Sequence, residues 1–323
     1  MSDSRVTPGS TPPAFVSPEP PGSDDVSAGL SAQEAERLAA QEARRRRRSE
    51  YPPAPEPLPV PVPDNHTHLD ARAYRIDVSV ADALDTANAV GVPGVVQVGC
   101  DVESSRFAVE AAAADPRVLA AVAIHPNDAA PLAEAGGLDA AIAEIDALAA
   151  HERVRAVGET GLDYFRTGEE GHGAQRASFE AHLDIAVRRG KAVQIHDRDA
   201  HHDVVEVLRA APRLPEHVVF HCFSGDAELA RICNDNGWYM SFAGTVTFKN
   251  STGLHAALAI ADPELVLVET DAPYLTPHPY RGRPNAAYMI PYTVRFMAEH
   301  LGRDLAELCS VLAGNTRRVY GEF

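Results

Sequence analysis

Eight short apolar runs recur along residues 64–323, and the segments between them have helical spacing. The cores of seven of these runs read GVVQVG, LAAVAIHP, VRAVGETGLD, AVQIHDRD, HVVFHCFSG, YMSFAG and LVLVETDAP. Continuously apolar strands are buried on both faces, which is typical of a parallel sheet covered by helices. The helical spacing is clearest from Phe179 to Val187, before the stop signal Gly190. The pattern therefore predicts an α/β fold.

The number of runs and the length of this region favour a (β/α)8 TIM barrel. Such barrels typically have about 250 residues, which agrees with the span 64–323. A doubly wound open sheet is the alternative, but no GxGxxG motif opens a helix after the first strand. No apolar run approaches the roughly 18 residues of a membrane-spanning helix, and we expect a cytoplasmic protein without a membrane partner.

Residues 1–63 differ in composition from the rest of the chain. They contain 13 of the 25 prolines and few large apolar residues, so we expect a mostly disordered Pro/Arg-rich extension before the barrel domain 64–323. Ser31 and Glu34 fit the capping box of a short helix ending at Arg44 to Arg48, and the prolines of 52–63 fit an extended spacer. The arginines are either a solvated helix end or an arm for nucleic-acid phosphates. No apolar stretch follows them, which speaks against an export signal.

The chain is acidic, with a formal net charge of −17. This is not the balance expected of a protein that holds nucleic acid by charge alone, so a basic patch or bound cations would have to offset it. The four cysteines are widely spaced and show no CxxC pair. We expect them to be small buried hydrophobic residues in a reducing cytosol.

The polar residues of interest stand where the apolar runs end. Six of them end the first, fourth, fifth, sixth and eighth runs: His66, His68, Glu159, His196, His221 and Asp271. In a barrel the carboxyl ends of all strands open at one mouth, so these residues would converge. Each could merely cap a strand or pair with an arginine. However, two carboxylates and four histidines in one low-dielectric site would carry a large electrostatic cost, which a metal relieves.

Six ligands suit two cations better than one, since each ion needs about three or four protein ligands. His66 and His68 are two residues apart and share one face of their strand, so both can reach one ion. A bridging ligand must reach both ions. The only lysines, Lys191 and Lys249, do not lie at a bridging position, whereas Glu159 does and has two carboxylate oxygens to share. Ligand softness favours Zn or Mn at a histidine-rich site.

Together these motifs are similar to those of the TatD-type metal-dependent deoxyribonucleases, a family of the amidohydrolase superfamily. The resemblance runs from about Asp64 to the C-terminus and rests on DNHTHLD, AIHPNDA, VGETGLDYFR, VQIHDRDA, HCFSG, FAGTVTFKN, VETDAPYLTPHPYRGRPN and NTRRVYG. It implies a (β/α)8 barrel with two divalent metal ions, commonly Mg in the family. It also implies the two ligand sets, which are His66, His68, Glu159 and Asp271 for one ion and Glu159, His196 and His221 for the other.

The resemblance implies hydrolysis of phosphodiester bonds, and we expect a 3′→5′ exonuclease on single-stranded DNA, with RNA as an alternative substrate. Glu159 and Asp271 are the expected catalytic residues, and Asp271 would take the proton of a water activated by two metals. A hydrolase of small-molecule or tRNA-linked ester or amide bonds is the competing hypothesis, because one scaffold supports several chemistries. A scaffold with a vestigial barrel is disfavoured because all six ligands are present. No obligate protein partner is indicated.

Five further residues are candidates for substrate binding: His125, Arg198, Ser224, Tyr274 and Arg281. His125 ends the third run and either contacts the scissile phosphate or only caps the backbone. Arg198 could clamp a phosphate with two hydrogen bonds, or pair with Asp197 or Asp199. The other three lie in predicted mouth loops, as does Arg283. No aromatic ladder for single-stranded nucleic acid is visible.

Overall fold

The eight described strands of the chain form a barrel. The computed structural model describes residues 6–16, 37, 49–70 and 78–323, and within them the strands pair in parallel and in chain order. They are β1 (Asp64–Thr67), β2 (Val95–Val98), β3 (Val118–Val122), β4 (Val154–Asp163), β5 (Ala192–Arg198), β6 (Val218–Phe220), β7 (Tyr239–Phe242) and β8 (Val266–Val268). A parallel bridge between Thr67 and Ala272 joins the two ends of the sheet. The predicted (β/α)8 barrel is therefore confirmed.

Helices follow the strands and cover the outside of the barrel. The described α-helices are α1 (Val80–Ala89), α2 (Val102–Ala114), α3 (Pro126–Glu134), α4 (Leu138–Leu148), α5 (Glu169–Arg189), α6 (His201–Ala210), α7 (Ala227–Asn236), α8 (Thr252–Ile260), α9 (Ile290–Leu301) and α10 (Leu305–Tyr320). Short 3-10 turns cover Pro13–Phe15, Gly244–Thr247, Pro263–Leu265 and Ala287–Met289. No helix in the described ranges has the length and apolar character needed to span a bilayer.

Local sequence signals explain where several helices begin and end. Asp101 and Ser104 form a reciprocal capping box at the start of α2. The Asp226 carboxylate accepts hydrogen bonds from two backbone N–H groups in the first turn of α7. Gly190 and Gly237 end α5 and α7 at φ values of 62° and 70°, a left-handed conformation that glycine adopts without strain. The predicted stop at Gly190 is therefore confirmed.

Alternate residues of the strands fall into two separate buried clusters. Val96 and Leu119 belong to the smaller cluster, whereas their neighbours Val95 and Val118 belong to the larger one. Successive side chains of a strand point to opposite faces, so one cluster fills the barrel and the other lies between strands and helices. A core packed on both sides of the sheet gives the strand ends a rigid base, and the polar residues there are held by it.

The described parts of the N-terminal extension pack on the barrel. We call residues 6–16 and 49–63 the N-terminal arm. Phe15, Tyr51, Leu58 and Val62 of this arm are buried, and the Phe15 ring meets the rings of Tyr51 and Tyr288 edge-on. These described stretches are packed rather than disordered, because Phe15, Tyr51, Leu58 and Val62 are buried. Prolines also reduce the conformational entropy that ordering removes.

Hydrogen bonds from the barrel fix the backbone of the arm. Arg283 donates to the carbonyl of Tyr51 (2.6 Å), and the Tyr288 hydroxyl donates to that of Pro52 (2.6 Å). Arg295 donates to the carbonyl of Pro57 (2.9 Å). Residues 52–63 are therefore an attached part of the fold rather than a free spacer. Apart from residue 37, the predicted helix 31–48 with its arginines lies outside the described residues, and the domain boundary at residue 63 stays a prediction.

Candidate metal centre

The six predicted ligands come together at the carboxyl end of the barrel. His66 and His68 stand at the end of β1, His196 lies near the end of β5, and His221 and Asp271 follow β6 and β8. Glu159 lies inside β4 rather than at its end, because β4 continues to Asp163 in register with β5. The convergence predicted from the strand-end pattern is thus present, although the residues are up to 205 positions apart in the chain.

The carboxylate of Glu159 lies between two pairs of imidazoles. Its Oε1 is 3.7 Å from His66 Nε2 and 3.6 Å from His68 Nε2. Its Oε2 is 2.7 Å from His221 Nε2 and 3.1 Å from His196 Nδ1. Each oxygen therefore faces a different pair of ring nitrogens, as a carboxylate shared by two neighbouring sites must do.

Asp271 completes the set of donor atoms around the first pair of histidines. His66 Nε2 and His68 Nε2 are 3.2 Å apart, and Asp271 Oδ1 is 3.5 Å from His68 Nε2 and 3.9 Å from His66 Nε2. Ligands at about 2.1 Å from one ion lie about 3.0–3.4 Å apart in octahedral or tetrahedral coordination. The spacing of these atoms is close to that requirement, so the residues fit a divalent cation.

A hydrogen-bond acceptor lies against the far ring nitrogen of each predicted histidine ligand. The pairs are His66 Nδ1 with Gln194 Oε1 (3.1 Å), His68 Nδ1 with the Val98 carbonyl (3.0 Å), His196 Nε2 with Asp163 Oδ2 (3.1 Å) and His221 Nδ1 with Glu269 Oε1 (3.2 Å). An acceptor keeps the proton of a neutral imidazole on the nitrogen that it faces. The other nitrogen, which faces the site, then keeps its lone pair for a metal.

His125 differs from these four histidines in this respect. Its Nε2 also points into the site, 3.3 Å from His196 Nδ1 and 3.7 Å from Glu159 Oε2. However, its Nδ1 accepts a hydrogen bond from the Asn127 backbone N–H at the start of α3. Burial also lowers the pKa of His125 to about 4, so the ring is neutral and carries its proton on Nε2. His125 therefore caps a helix, as one of the two hypotheses held, and it presents an N–H donor rather than a lone pair to the site.

The charges of the site keep its carboxylates ionised. Burial by itself would raise the pKa of Glu159, but His221, His125 and His196 hold that pKa well below the usual range. Burial likewise acts to raise the pKa of Asp271, and it is outweighed by the hydrogen bond with His68 and the nearby His66 and His221, which lower it. Ionised carboxylates and imidazoles are the donor types that divalent cations bind. Burial acts to lower the pKa of His196 and His221, but the neighbouring carboxylates outweigh it and raise both pKa values. These rings therefore hold protons that a bound cation would displace.

The sequence motifs did not predict the residues that orient the predicted ligands, namely Asp163, Gln194 and Glu269. All three side chains are buried. A signal existed for Asp163 and Glu269, since both are acidic residues in the strand-end motifs GLDY and VETD. Gln194 lies inside β5, and no sequence pattern distinguishes it from other buried strand residues.

Two of the four cysteines lie at the site rather than in the core. Cys233 and Cys309 are buried as expected, but Cys100 and Cys222 are only partly buried. The Cys100 Sγ is 3.4 Å from Glu159 Oε1, and burial raises its pKa to about 12. The Cys222 backbone N–H donates to Glu269 Oε1 at 2.7 Å. The Cys100 thiol therefore stays protonated and can donate to the Glu159 carboxylate.

Arg198 and Tyr274 lie at the mouth near these residues. The Arg198 guanidinium stands 4.3 Å from the centre of the Phe165 ring. The predicted alternative for Arg198 was an ion pair with Asp197 or Asp199, but Asp197 pairs with His201 at 2.7 Å. The ring centre of Tyr274 is 6.3 Å from that of His68.

The remaining substrate candidates lie in loops and have protein partners. The Ser224 hydroxyl donates to the Asp197 carbonyl at 2.9 Å. Arg281 stands over the Phe248 ring at 4.5 Å. Arg283 is a poor candidate for substrate binding, because its guanidinium donates hydrogen bonds to backbone carbonyls of the N-terminal arm. Substrate contact by Ser224, Tyr274 and Arg281 stays a prediction.

Comparison with known proteins relates the barrel to one family. The family model described as TatD related DNase matches residues 63–321. A Mycobacterium tuberculosis protein described as an uncharacterized metal-dependent hydrolase TatD is 48% identical over 261 residues, which are 79% of this chain and 96% of that protein. The Bacillus subtilis uncharacterized metal-dependent hydrolase YabD is 34% identical over 255 residues, or 79% of this chain and 97% of YabD. The crystal structure of the TatD homologue YJJV from Escherichia coli has a similar fold, with a TM-score of 0.72, 23% identity and coverage of 80% and 97%.

Proposed function

Since this chain belongs to the TatD-related DNase family, we propose that it is a metal-dependent hydrolase that cleaves phosphodiester bonds in nucleic acid. The preferred reaction is removal of nucleotides from the 3′ end of single-stranded DNA, with RNA as the second substrate to test. The family description and its relatives' description as metal-dependent hydrolases support the class of reaction. The polarity and the preference for single strands are our own proposals.

The position of Glu159 carries the proposal of two metal ions. One of its oxygens faces His66 and His68, and the other faces His196 and His221. We assign one ion to His66, His68, Glu159 and Asp271, and the second to Glu159, His196 and His221. The cations, Mg, Mn or Zn, would supply a water of lowered pKa and neutralise charge on the phosphate.

The residues of the chain would then position the phosphate and move protons. The ionised Asp271 carboxylate is the group suited to take a proton from the attacking water. His125 Nε2–H is a donor that can bind a non-bridging phosphate oxygen without competing for metal. Arg198 offers a further cation at the same mouth. Attack of water on phosphorus would break the bond to the 3′-oxygen and release a 5′-mononucleotide. The 3′-oxygen would take up a proton from solvent and leave as the 3′-hydroxyl of the shortened strand.

Asp271→Asn tests this assignment because it removes the proton acceptor and keeps the shape of the side chain. We expect kcat to fall by about 10²–10⁴-fold, the usual contribution of a general base. The assay is release of 5′-mononucleotides from 3′-labelled and 5′-labelled single-stranded DNA in Mg, Mn or Zn. Asp235→Asn is the matched control, since Asp235 is exposed on α7.

Three results would count against the proposal. Full activity of the Asp271→Asn variant would remove Asp271 from the reaction. A metal content of one ion per active chain would contradict the two-ion assignment. Protein that holds two ions but cleaves neither DNA nor RNA would favour the competing hypothesis, an ester or amide substrate, which the same protein can be assayed for directly.

A further inference from the structure

Two exposed aromatic side chains stand at the mouth of the barrel. Among the described residues, the exposed large hydrophobic side chains are Val16, Phe165, Ile260 and Tyr274. The two aromatic ones, Phe165 and Tyr274, follow β4 and β8, the strands that bring Glu159 and Asp271 to the site. Phe165 is the most exposed of the four, at 62%. Exposed aromatic rings beside a polar site offer flat faces on which a planar ligand group can stack.

Phe165 is fixed to the metal centre through Asp163. The Phe165 backbone N–H donates to Asp163 Oδ1 at 3.1 Å, and the Arg166 backbone N–H donates to the same oxygen at 2.8 Å. The other oxygen, Oδ2, lies 3.1 Å from His196 Nε2. One buried carboxylate therefore orients a predicted metal ligand and the turn that carries the exposed ring. This connection keeps Phe165 at a defined place relative to the site.

Arg198 covers part of the Phe165 ring and leaves the rest open. The guanidinium carbon is 4.3 Å from the ring centre, which is the distance of a cation–π contact. Because Phe165 remains 62% exposed with Arg198 in place, a second planar group can stack on its ring. The planar guanidinium has five N–H donors and loses little freedom on binding when it is already stacked. The pair thus offers an aromatic surface and a positioned phosphate donor side by side.

We propose that Phe165 and Arg198 form a stacking platform for an unpaired nucleobase next to the phosphate that is cleaved. The proposal rests on the proposed function and names the residues that would receive an unpaired base of a single strand or a frayed end. A base inside a duplex has neighbours on both of its faces, so it cannot stack on the ring. The Phe165 ring has no hydrogen-bonding group, and the platform therefore accepts any of the bases.

The test compares Phe165→Ala with Phe165→Trp on substrates with and without a base. One substrate is a single-stranded oligothymidylate, and the other is the same oligomer with abasic sites at its three terminal positions. With the metal-loaded full chain, we expect Phe165→Ala to raise KM for the oligothymidylate about tenfold, the loss expected for one base–aromatic stack. The abasic oligomer should show no further loss, and Phe165→Trp should retain the wild-type KM. Ile260→Ala is the control for loss of an exposed apolar side chain, since Ile260 lies on α8.

Equal losses on both oligomers would show a structural effect and overturn the platform, as would wild-type KM values for Phe165→Ala. Failure of the proposed function is a separate result, namely no cleavage of either oligomer by the wild type. In that case fluorescence anisotropy of a labelled oligothymidylate still decides the question. Binding that weakens about tenfold in Phe165→Ala supports the platform, and binding equal to that of the abasic oligomer in every variant contradicts it.

Discussion

His182 on α5 is a buried histidine that the site does not use. Its Nε2 accepts a hydrogen bond from the Ile124 backbone N–H at 3.0 Å, and its Nδ1 donates to the Ser178 carbonyl at 2.7 Å. Burial lowers its pKa from 6.5 to about 4, so the ring is neutral in the folded protein. Between about pH 6.5 and pH 4, His182 binds a proton in the unfolded chain but not in the folded chain. The free energy of unfolding therefore falls as the pH drops from about 6.5 to about 4.

We expect His182→Gln to reduce the pH dependence of stability. Glutamine can accept and donate the same two hydrogen bonds but does not titrate. Between pH 7 and pH 5 the variant should lose about 2 kcal/mol less stability than the wild type, as the lowered pKa implies. Urea unfolding at several pH values measures the difference. His202→Gln is the control, because His202 is exposed. Identical dependence of stability on pH in the wild type and in His182→Gln would contradict the expectation.

At the level of elements, β4 and β5 approach each other more closely than a side chain allows. Gly161 of β4 pairs with His196 of β5. Its φ is 142°, and a Cβ built there would lie 2.1 Å from the His196 carbonyl oxygen. The glycine therefore lets the strand that carries Glu159 run against the strand that carries His196. This contact sets the distance between Glu159 and His196, two of the three ligands proposed for the second ion.

Gly161→Ala should separate these two strands. We expect a loss of about 3 kcal/mol or more of folding free energy and a lower metal content, because His196 must move. Gly173→Ala within α5 is the matched control, since nothing lies within 4 Å of its Cβ position. That control should gain about 0.5–1 kcal/mol from better helix propensity. Denaturant unfolding and metal analysis of both variants check the prediction, which a wild-type metal content in Gly161→Ala would refute.

The elements and the ligands were predictable from the sequence to different degrees. Apolar runs ending in His66, Glu159 or Asp271 are local patterns, and the rule that parallel strands open at one mouth places them together. The partner of His66, Gln194, is 128 residues away and resembles any buried strand residue. Which ring nitrogen of His66 is free for a metal depends on such a distant partner and could not be read from the sequence. The partner of His125 is the Asn127 backbone N–H, only two residues away, and capping was one of the two roles predicted for His125.

For the whole molecule, the packing of the N-terminal arm on the barrel predicts that removal of the arm lowers the free energy of unfolding. Deleting residues 1–63 would remove the Pro52 carbonyl that accepts from the Tyr288 hydroxyl, and the loss of that hydrogen bond costs about 0.5–1.5 kcal/mol. Exposure of the apolar surface under Leu58 and Val62 adds to the loss. We expect a clear drop in the melting temperature, measured by calorimetry, and a smaller drop when only residues 1–48 are removed. Deletion of residues 1–5 is the control, and an unchanged melting temperature after removal of 1–63 would contradict the structural role.

The N-terminal arm extends the folded unit beyond the part of the chain that the family model matches. The family match spans 63–321, yet Arg283, Tyr288 and Arg295 within it donate to carbonyls that precede it. The effects on stability of substitutions at these three donors and of substitutions in residues 49–57 are therefore coupled. Only the donors lie in the part of the chain that the family model matches. A chimera that joined this arm to another member's barrel would need the same donors at the same places. Without them, the transferred arm would lose the hydrogen bonds that fix its backbone on the barrel.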